Sequence, residues 1–108
     1  MFTTNNLMLE LRAKEKKLYL PEVERFIKTQ SNEVKQNFVN QRKEVGKKLH
    51  NIEMQELEEI LKRLESLKPE YDKAFKDLDR EIQSLNNAVK IVSSINAVTR
   101  VLAKLLIF

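Results

Sequence analysis

Two interleaved heptad seams in the last third of the chain limit its folding choices more than any other feature. Tyr71, Phe75, Leu78, Ile82, Leu85, Val89 and Val92 recur at spacings of 4-3-4-3-4-3. From Ala88 a second row joins them: Ala88, Ile91, Ile95, Val98, Leu102 and Leu105, at 3-4-3-4-3. Such rows each occupy one face of an α-helix and pack against a partner helix. The first row asks for one partner, and where the rows overlap the helix needs at least two. No period-two alternation competes along the chain, so the expected fold class is all-α.

The two prolines divide the helical pattern. Each suits the first turn of a helix, where its missing N–H would have no intrahelical partner anyway. Glu70 and Asp72, just after Pro69, favour a helix N-terminus electrostatically. The spacing therefore predicts three helices, at 6–19, 21–66 and 69–107. Leu7, Leu11 and Leu18 lie near one face of the first. In the second, Val23, Ile27, Val34, Phe38, Val45, Leu49 and Ile52 share a face. Leu57, Ile60, Leu61, Leu64 and Leu67 fall on another, rotated by about 100° at about 3.6 residues per turn. A break or stutter is expected between Gly46 and Glu56, because a helix-interior glycine costs about 1 kcal/mol relative to alanine and so permits a break.

A short turn at Lys68 would make the long helices antiparallel, and a turn at Pro21 would fold the first helix back onto the second. The expected architecture is one domain over residues 1–108. It is an elongated, coiled-coil-like antiparallel helical hairpin, with the short N-terminal helix completing a three-helix head. A last helix of about 39 residues would be about 58 Å long, against about 34 Å for a compact globule of this size. A charged two-helix stalk buries less than the roughly two-thirds of unfolded surface that a compact chain of this mass hides. Self-association would supply the rest, most simply as a two-fold dimer. Val92, Ile95, Val98, Leu102, Leu105 and Leu106 are the expected oligomer or partner interface. Asn96 and Thr99 continue the first seam as polar positions, and a buried Asn96 would fix its register.

Composition removes several classes of chemistry. The chain has no cysteine and a single glycine, so there is no disulfide framework, thiolate zinc site, cysteine nucleophile or glycine-rich phosphate loop. Its 20 Lys+Arg and 16 Asp+Glu leave a net charge of +4, interspersed along the sequence in the manner of solvated helix faces. The N-terminus lacks the pattern of a signal peptide. The apolar stretch from Ala88 contains Lys90, Arg100 and Lys104, which argues against a spanning helix. A soluble, cytoplasmic protein is the expectation.

Few residues suggest reaction chemistry. His50 and Glu53 form an HxxE pair one turn apart, but a di-metal bundle needs Glu-x-x-His motifs, so no metal or other cofactor is expected. Glu56, Glu58 and Glu59, and likewise Asp77, Asp79 and Glu81, are interspersed with lysines and arginines and read as solvated faces. Catalytic carboxylates need a pocket that shifts their pKa, so the chain is read as no enzyme. Lys35, Arg42, Lys43, Lys47 and Lys48 point in several directions around a helix, where phosphate contact would want one sector. Nucleic-acid binding is accordingly unlikely. Lys90, Arg100 and Lys104 share about an 80° sector of a segment with no acidic residue beyond Glu81. They are the candidate lipid-facing cations. The sequence thus reads as a non-enzymatic structural or adaptor protein acting through self-association and helix-face contacts with an unknown protein partner. Membrane-surface binding through residues 88–108 is the alternative, and weak nucleic-acid binding through residues 35–48 a further one.

Overall fold

The computed structural model describes residues 3–106. They form helices α1 (Leu7–Lys16), α2 (Pro21–Lys28), α3 (Asn32–Glu53), α4 (Leu57–Ser84) and α5 (Ala88–Leu105), with a 3₁₀ turn at Lys17–Tyr19 after α1. Among the described residues there is no strand. The all-α expectation holds, and the helices pack as a hairpin bundle. The corners of that bundle, however, fall at places other than the expected ones.

Pro21 does begin a helix, after Leu20 in an extended conformation, as the residue before proline prefers. That helix stops at Lys28 instead of continuing to residue 66. Thr29 Oγ1 donates to the Phe26 carbonyl at 2.7 Å, and Ser31 starts α3 by accepting from the Val34 N–H at 3.2 Å. Such a cap satisfies one of the four N–H groups that a helix start leaves unpaired. Helix α3 then runs unbroken through Gly46. The change of face noted between Gly46 and Glu56 is a chain reversal at Met54–Glu56, where Glu56 is extended with φ −70° and ψ 112°.

Pro69 does not restart the chain. It lies inside α4, an uninterrupted helix of 28 residues. Proline there removes a hydrogen bond to the Glu65 carbonyl and crowds it, but Pro69 and Glu65 are both exposed, on the water side. Ile60 and Leu64 before it, and Tyr71, Ala74, Phe75, Leu78 and Ile82 after it, are all buried. Packing on both sides carries the helix through its weak point. The hairpin corner expected at Lys68 lies instead at Leu85–Asn87. Leu85 adopts the left-handed conformation with φ 46° and ψ 43°, which costs a non-glycine residue about 1–2 kcal/mol. Asn87 then caps α5 by accepting from the Lys90 N–H at 3.1 Å.

Side-chain contacts fix how the helices sit. Arg12 on α1 reaches Glu53 at 3.7 Å, and Arg42 on α3 donates to the Leu18 carbonyl at 3.3 Å, so α1 runs antiparallel to α3. Lys17 pairs with Asp79 at 3.1 Å and Lys14 sits 5.0 Å over the Phe75 ring, so α1 also covers α4. Arg63, near the start of α4, donates to the Leu105 carbonyl at 2.7 Å. This makes α4 and α5 antiparallel, with a cation on the negative end of α5. Helix α5 packs mainly on α3 and α4, which barely touch each other. The result is a four-helix bundle of α1, α3, α5 and α4 in cyclic order, with α2 folded back across the start of α3.

The bundle measures 41 × 21 × 20 Å, so it is longer than wide but far short of a 58 Å helix. No bare stalk exists, because α1 and α5 cover the segment expected to form one. The chain exposes 6702 Å², close to the roughly 6,300 Å² expected of a compact monomer of this mass. The surface deficit that favoured a dimer is therefore absent.

Candidate contact surface

The second seam is spent inside the chain. Ala88, Ile91, Ile95, Val98, Leu102 and Leu105 are each no more than 4% exposed. Of the expected interface, Ile95, Val98, Leu102 and Leu105 therefore form the chain's own core, a correction that follows from α5 lying between α3 and α4. Val92 and Leu106 are half-buried against that core. Asn96 and Thr99 are half-buried at its margin, and Thr99 Oγ1 donates to the Ile95 carbonyl at 3.1 Å. The first seam is buried only as far as Ile82. Beyond the corner its next members turn outward, leaving Val89 65% exposed.

The three C-terminal cations are exposed. Lys104 pairs with Glu70 on α4 at 2.6 Å, and Arg100 flanks a shallow groove beside Glu70 and Asp77. Their strip is the outside of a core helix, and α5 would have to leave the bundle to lay its apolar face on lipid. No helix among the described residues is long and apolar enough to cross a membrane.

The basic run on α3 is divided by use. Arg42 donates to Glu24 at 2.7 Å and stacks 4.2 Å from the Tyr19 ring centre and 5.2 Å from that of Phe38. It ties α2, α3 and the 3₁₀ turn together. Lys47 pairs with Glu44 at 3.6 Å, and Lys43 is exposed, while Lys35 and Lys48 are half-buried. The set forms no single strip. His50 is exposed, its neighbour Glu53 is engaged by Arg12, and no group of three or more His, Asp or Glu that could hold a metal occurs among the described residues.

Asp77, Asp79 and Glu81 are each engaged by cations. Asp77 accepts from Lys73 at 2.8 Å and Arg80 at 3.1 Å. The Lys73 hydrogen bond, aided by the charges of both cations, holds its pKa below the usual 3.8. Burial pushes the Tyr71 phenol well above its ordinary value, with Glu10 and Asp72 adding to the shift. Tyr71 and Phe75, 4.7 Å apart, floor an open groove of about 560 Å³ between α1 and α4, whose rims carry Glu10, Lys14, Lys68, Asp72, Lys76 and Asp79. Three cations and three anions in open solvent give it no net polarity.

A different region stands out, one that periodicity did not reveal. Leu9 and Met54 are each 73% exposed, the largest values among the exposed large apolar side chains of the described chain. They come to the same end of the bundle. Arg12 reaches Glu53, and Leu9 is one turn N-terminal to Arg12 on a helix antiparallel to α3, so it lies toward the α3 end, where Met54 begins the turn. Met8, Leu57, Leu61 and Leu106 are half-buried at this end. The surrounding sequence is acidic: Glu53, Glu56, Glu58 and Glu59 occur within seven residues that contain no cation, and Glu10 neighbours Leu9. Lys62 offsets Glu59 at 3.5 Å.

No protein-family model, no curated protein and no solved structure matches this chain.

Proposed function

We propose that this protein is a non-enzymatic helical adaptor that contacts another protein through the end of the bundle carrying Leu9 and Met54. One observation carries the reading: the two most exposed large apolar side chains of the described residues, Leu9 on α1 and Met54 in the turn after α3, lie toward the end of the bundle where Arg12 reaches Glu53. Elsewhere most seam residues are consumed internally, with Val89 the exposed exception. An isolated exposed leucine means little, whereas exposed apolar residues brought together mark interaction surfaces. Self-association is an option for such a protein and no longer a requirement, since the single chain already hides about the surface expected of a compact monomer.

A photo-crosslinking residue at position 54, compared with one at the exposed position 47 on α3, tests the reading in the native host. Discrete adducts are expected from position 54, and they should vanish when Leu9 is changed to Ser. Equal adducts from both positions would overturn it. So would adducts only from probes on the outer face of α5, at 90 and 100, which would favour the membrane or a different protein groove.

A further inference from the structure

A groove between α2 and the first half of α3 carries an unbalanced charge over an apolar floor. Ile27 and Phe38 form the floor, Val39 lines one side, and Glu24, Lys28, Lys35 and Arg42 complete the lining of about 200 Å³. The one carboxylate of this lining is already used. Glu24 accepts from Arg42 at 2.7 Å, and the rings of Tyr19 and Phe38 hold the same guanidinium. Neither Lys28 nor Lys35 has an ion-pair partner among the described residues. Glu22 and Glu33 do not compensate them, because each is two residues, or about 160° around its helix, from Glu24 and Lys35 respectively. The negative end of α2 and the positive end of α3 meet at the turn between them, so their opposite half charges largely cancel. Two uncompensated cations therefore flank the apolar floor, one on each wall.

We propose that this groove docks an acidic amphipathic helix of another protein. Its volume falls below the roughly 300–1,000 Å³ of pockets that enclose a small ligand, and suits one or two aliphatic side chains. A groove between two helices takes a third by seating an apolar row between their ridges. Helix α2 has 8 residues, about 12 Å at about 1.5 Å per residue. Two turns of a partner fit that length, with apolar anchors at i and i+3 or i+4 and carboxylates beside them meeting Lys28 and Lys35. Charge on both walls fixes the orientation of the docked helix. Ile27 and Phe38 are 5% and 2% exposed, recessed enough that an inserted side chain reaches them and a flat anionic bilayer does not. A nucleic-acid backbone would satisfy the lysines but leave Val39 and the floor unmatched. The site is independent of Leu9 and Met54, since Phe38 lies about 24 Å from Met54 along α3. With both surfaces occupied, the adaptor would bridge two proteins.

Three designed peptides of equal length test this: a Leu/Glu amphipathic helix, its Leu/Gln counterpart, and a Ser/Glu peptide of the same charge without leucine. Each, and a deoxythymidine oligonucleotide, is titrated into the intact isotope-labelled protein while its amide signals are followed. The Leu/Glu peptide should shift amides of residues 24–28 and 35–42 selectively. Changing Lys28 and Lys35 together to Gln should weaken it about fivefold, as two exposed charge pairs allow. Val39→Ser should weaken it about threefold through lost apolar contact. Because the whole protein is cationic, Lys76→Gln with Arg100→Gln serves as the control. It removes the same two charges from the α4 and α5 surfaces and should leave binding nearly unchanged. The lysine changes break no ion pair, so those variants should keep the wild-type circular dichroism. Equal weakening by the control pair would mean bulk attraction and overturn the proposal. Equally tight binding of the Leu/Gln peptide would overturn the acidic partner. If the Ser/Glu peptide or the oligonucleotide shifts the same amides as tightly, the groove is a plain anion surface of the kind nucleic acid uses, and the amphipathic helix is wrong. No shift at those amides with any probe would remove the site altogether.

Discussion

Pro69→Ala separates the observed helix from the alternative in which proline opens a new one. At a first helical position the exchange would be close to neutral, because proline is well suited there. In a helix interior proline is about 3 kcal/mol less favourable than alanine, through one lost hydrogen bond and a clash with the carbonyl four residues back. Here that carbonyl belongs to Glu65. Pro69 is exposed, so no core packing is lost on replacement, while Tyr71 and Leu64 hold the helix on either side. The helix has already adjusted around the ring, which returns part of the cost, and a gain of about 2 kcal/mol is expected, within the same interior range. For a domain of this size that raises the melting temperature by roughly 8–16 °C. Urea unfolding followed by helical circular dichroism measures it, with an unchanged slope if the unfolded state is unaffected. A variant within about 0.5 kcal/mol of the parent, the scatter of ordinary surface changes, would refute a continuous α4.

Three further outcomes are expected. Gly46→Ala should stabilise by up to about 1 kcal/mol from helix propensity, since the new Cβ would meet only Glu15 Oε2, at 3.1 Å, at the end of a flexible side chain. A loss exceeding about 1 kcal/mol that Glu15→Ala does not relieve would mean that α3 bends there. Arg42→Lys should destabilise nearly as much as Arg42→Ala, on the order of 2 kcal/mol in chemical denaturation, because a lysine cannot both stack on Tyr19 and Phe38 and bond Glu24. Full rescue by lysine would show that charge alone matters at this position. For Asp77, whose folded pKa lies below 3.8, the stabilising contribution is complete above that unfolded value and is lost as pH falls through the lower folded one. Carboxyl NMR should place its midpoint below 3.8, and Lys73→Ala should move that midpoint upward. A midpoint that stays put would remove Lys73 as the main cause.

How much of this was readable beforehand depended on whether periodicity or chain reversal carried the signal. The row Ala88 to Leu105 is buried as its spacing required, because a heptad row can only be satisfied by packing. Pro21 begins a helix because no tertiary contact opposes its preference. The change of face after Gly46 was visible as a register shift, and the structure resolves it as a turn. Pro69 misled because its local preference was overruled by buried residues on both sides. The corner at Leu85 carried no glycine to announce a left-handed residue, although Asn87 was a legible cap once the corner is known. Ser31 offered a similar unused signal. These two missed corners turned a compact four-helix bundle into an apparent long hairpin, and with it produced the apparent need for a dimer. Leu9 and Met54 could not be paired from sequence at all. Their lying toward one end depends on the register between α1 and α3, which the Arg12–Glu53 pair and the Arg42 bond to the Leu18 carbonyl set across helices. The acidic run from Glu53 to Glu59 was visible, but as a solvated face it had no apolar centre.

Whether the seams close within one chain is tested most directly by melting the protein over a hundredfold range of concentration. A self-contained bundle should show one melting temperature throughout, with a monomeric mass by light scattering on the same samples. An obligate dimer gains about 2.7 kcal/mol over that range by mass action, which would raise its melting temperature by roughly 5–10 °C. A rise of that size would show that Ile95, Val98, Leu102 and Leu105 are completed by a second chain, and would contradict the single-chain bundle.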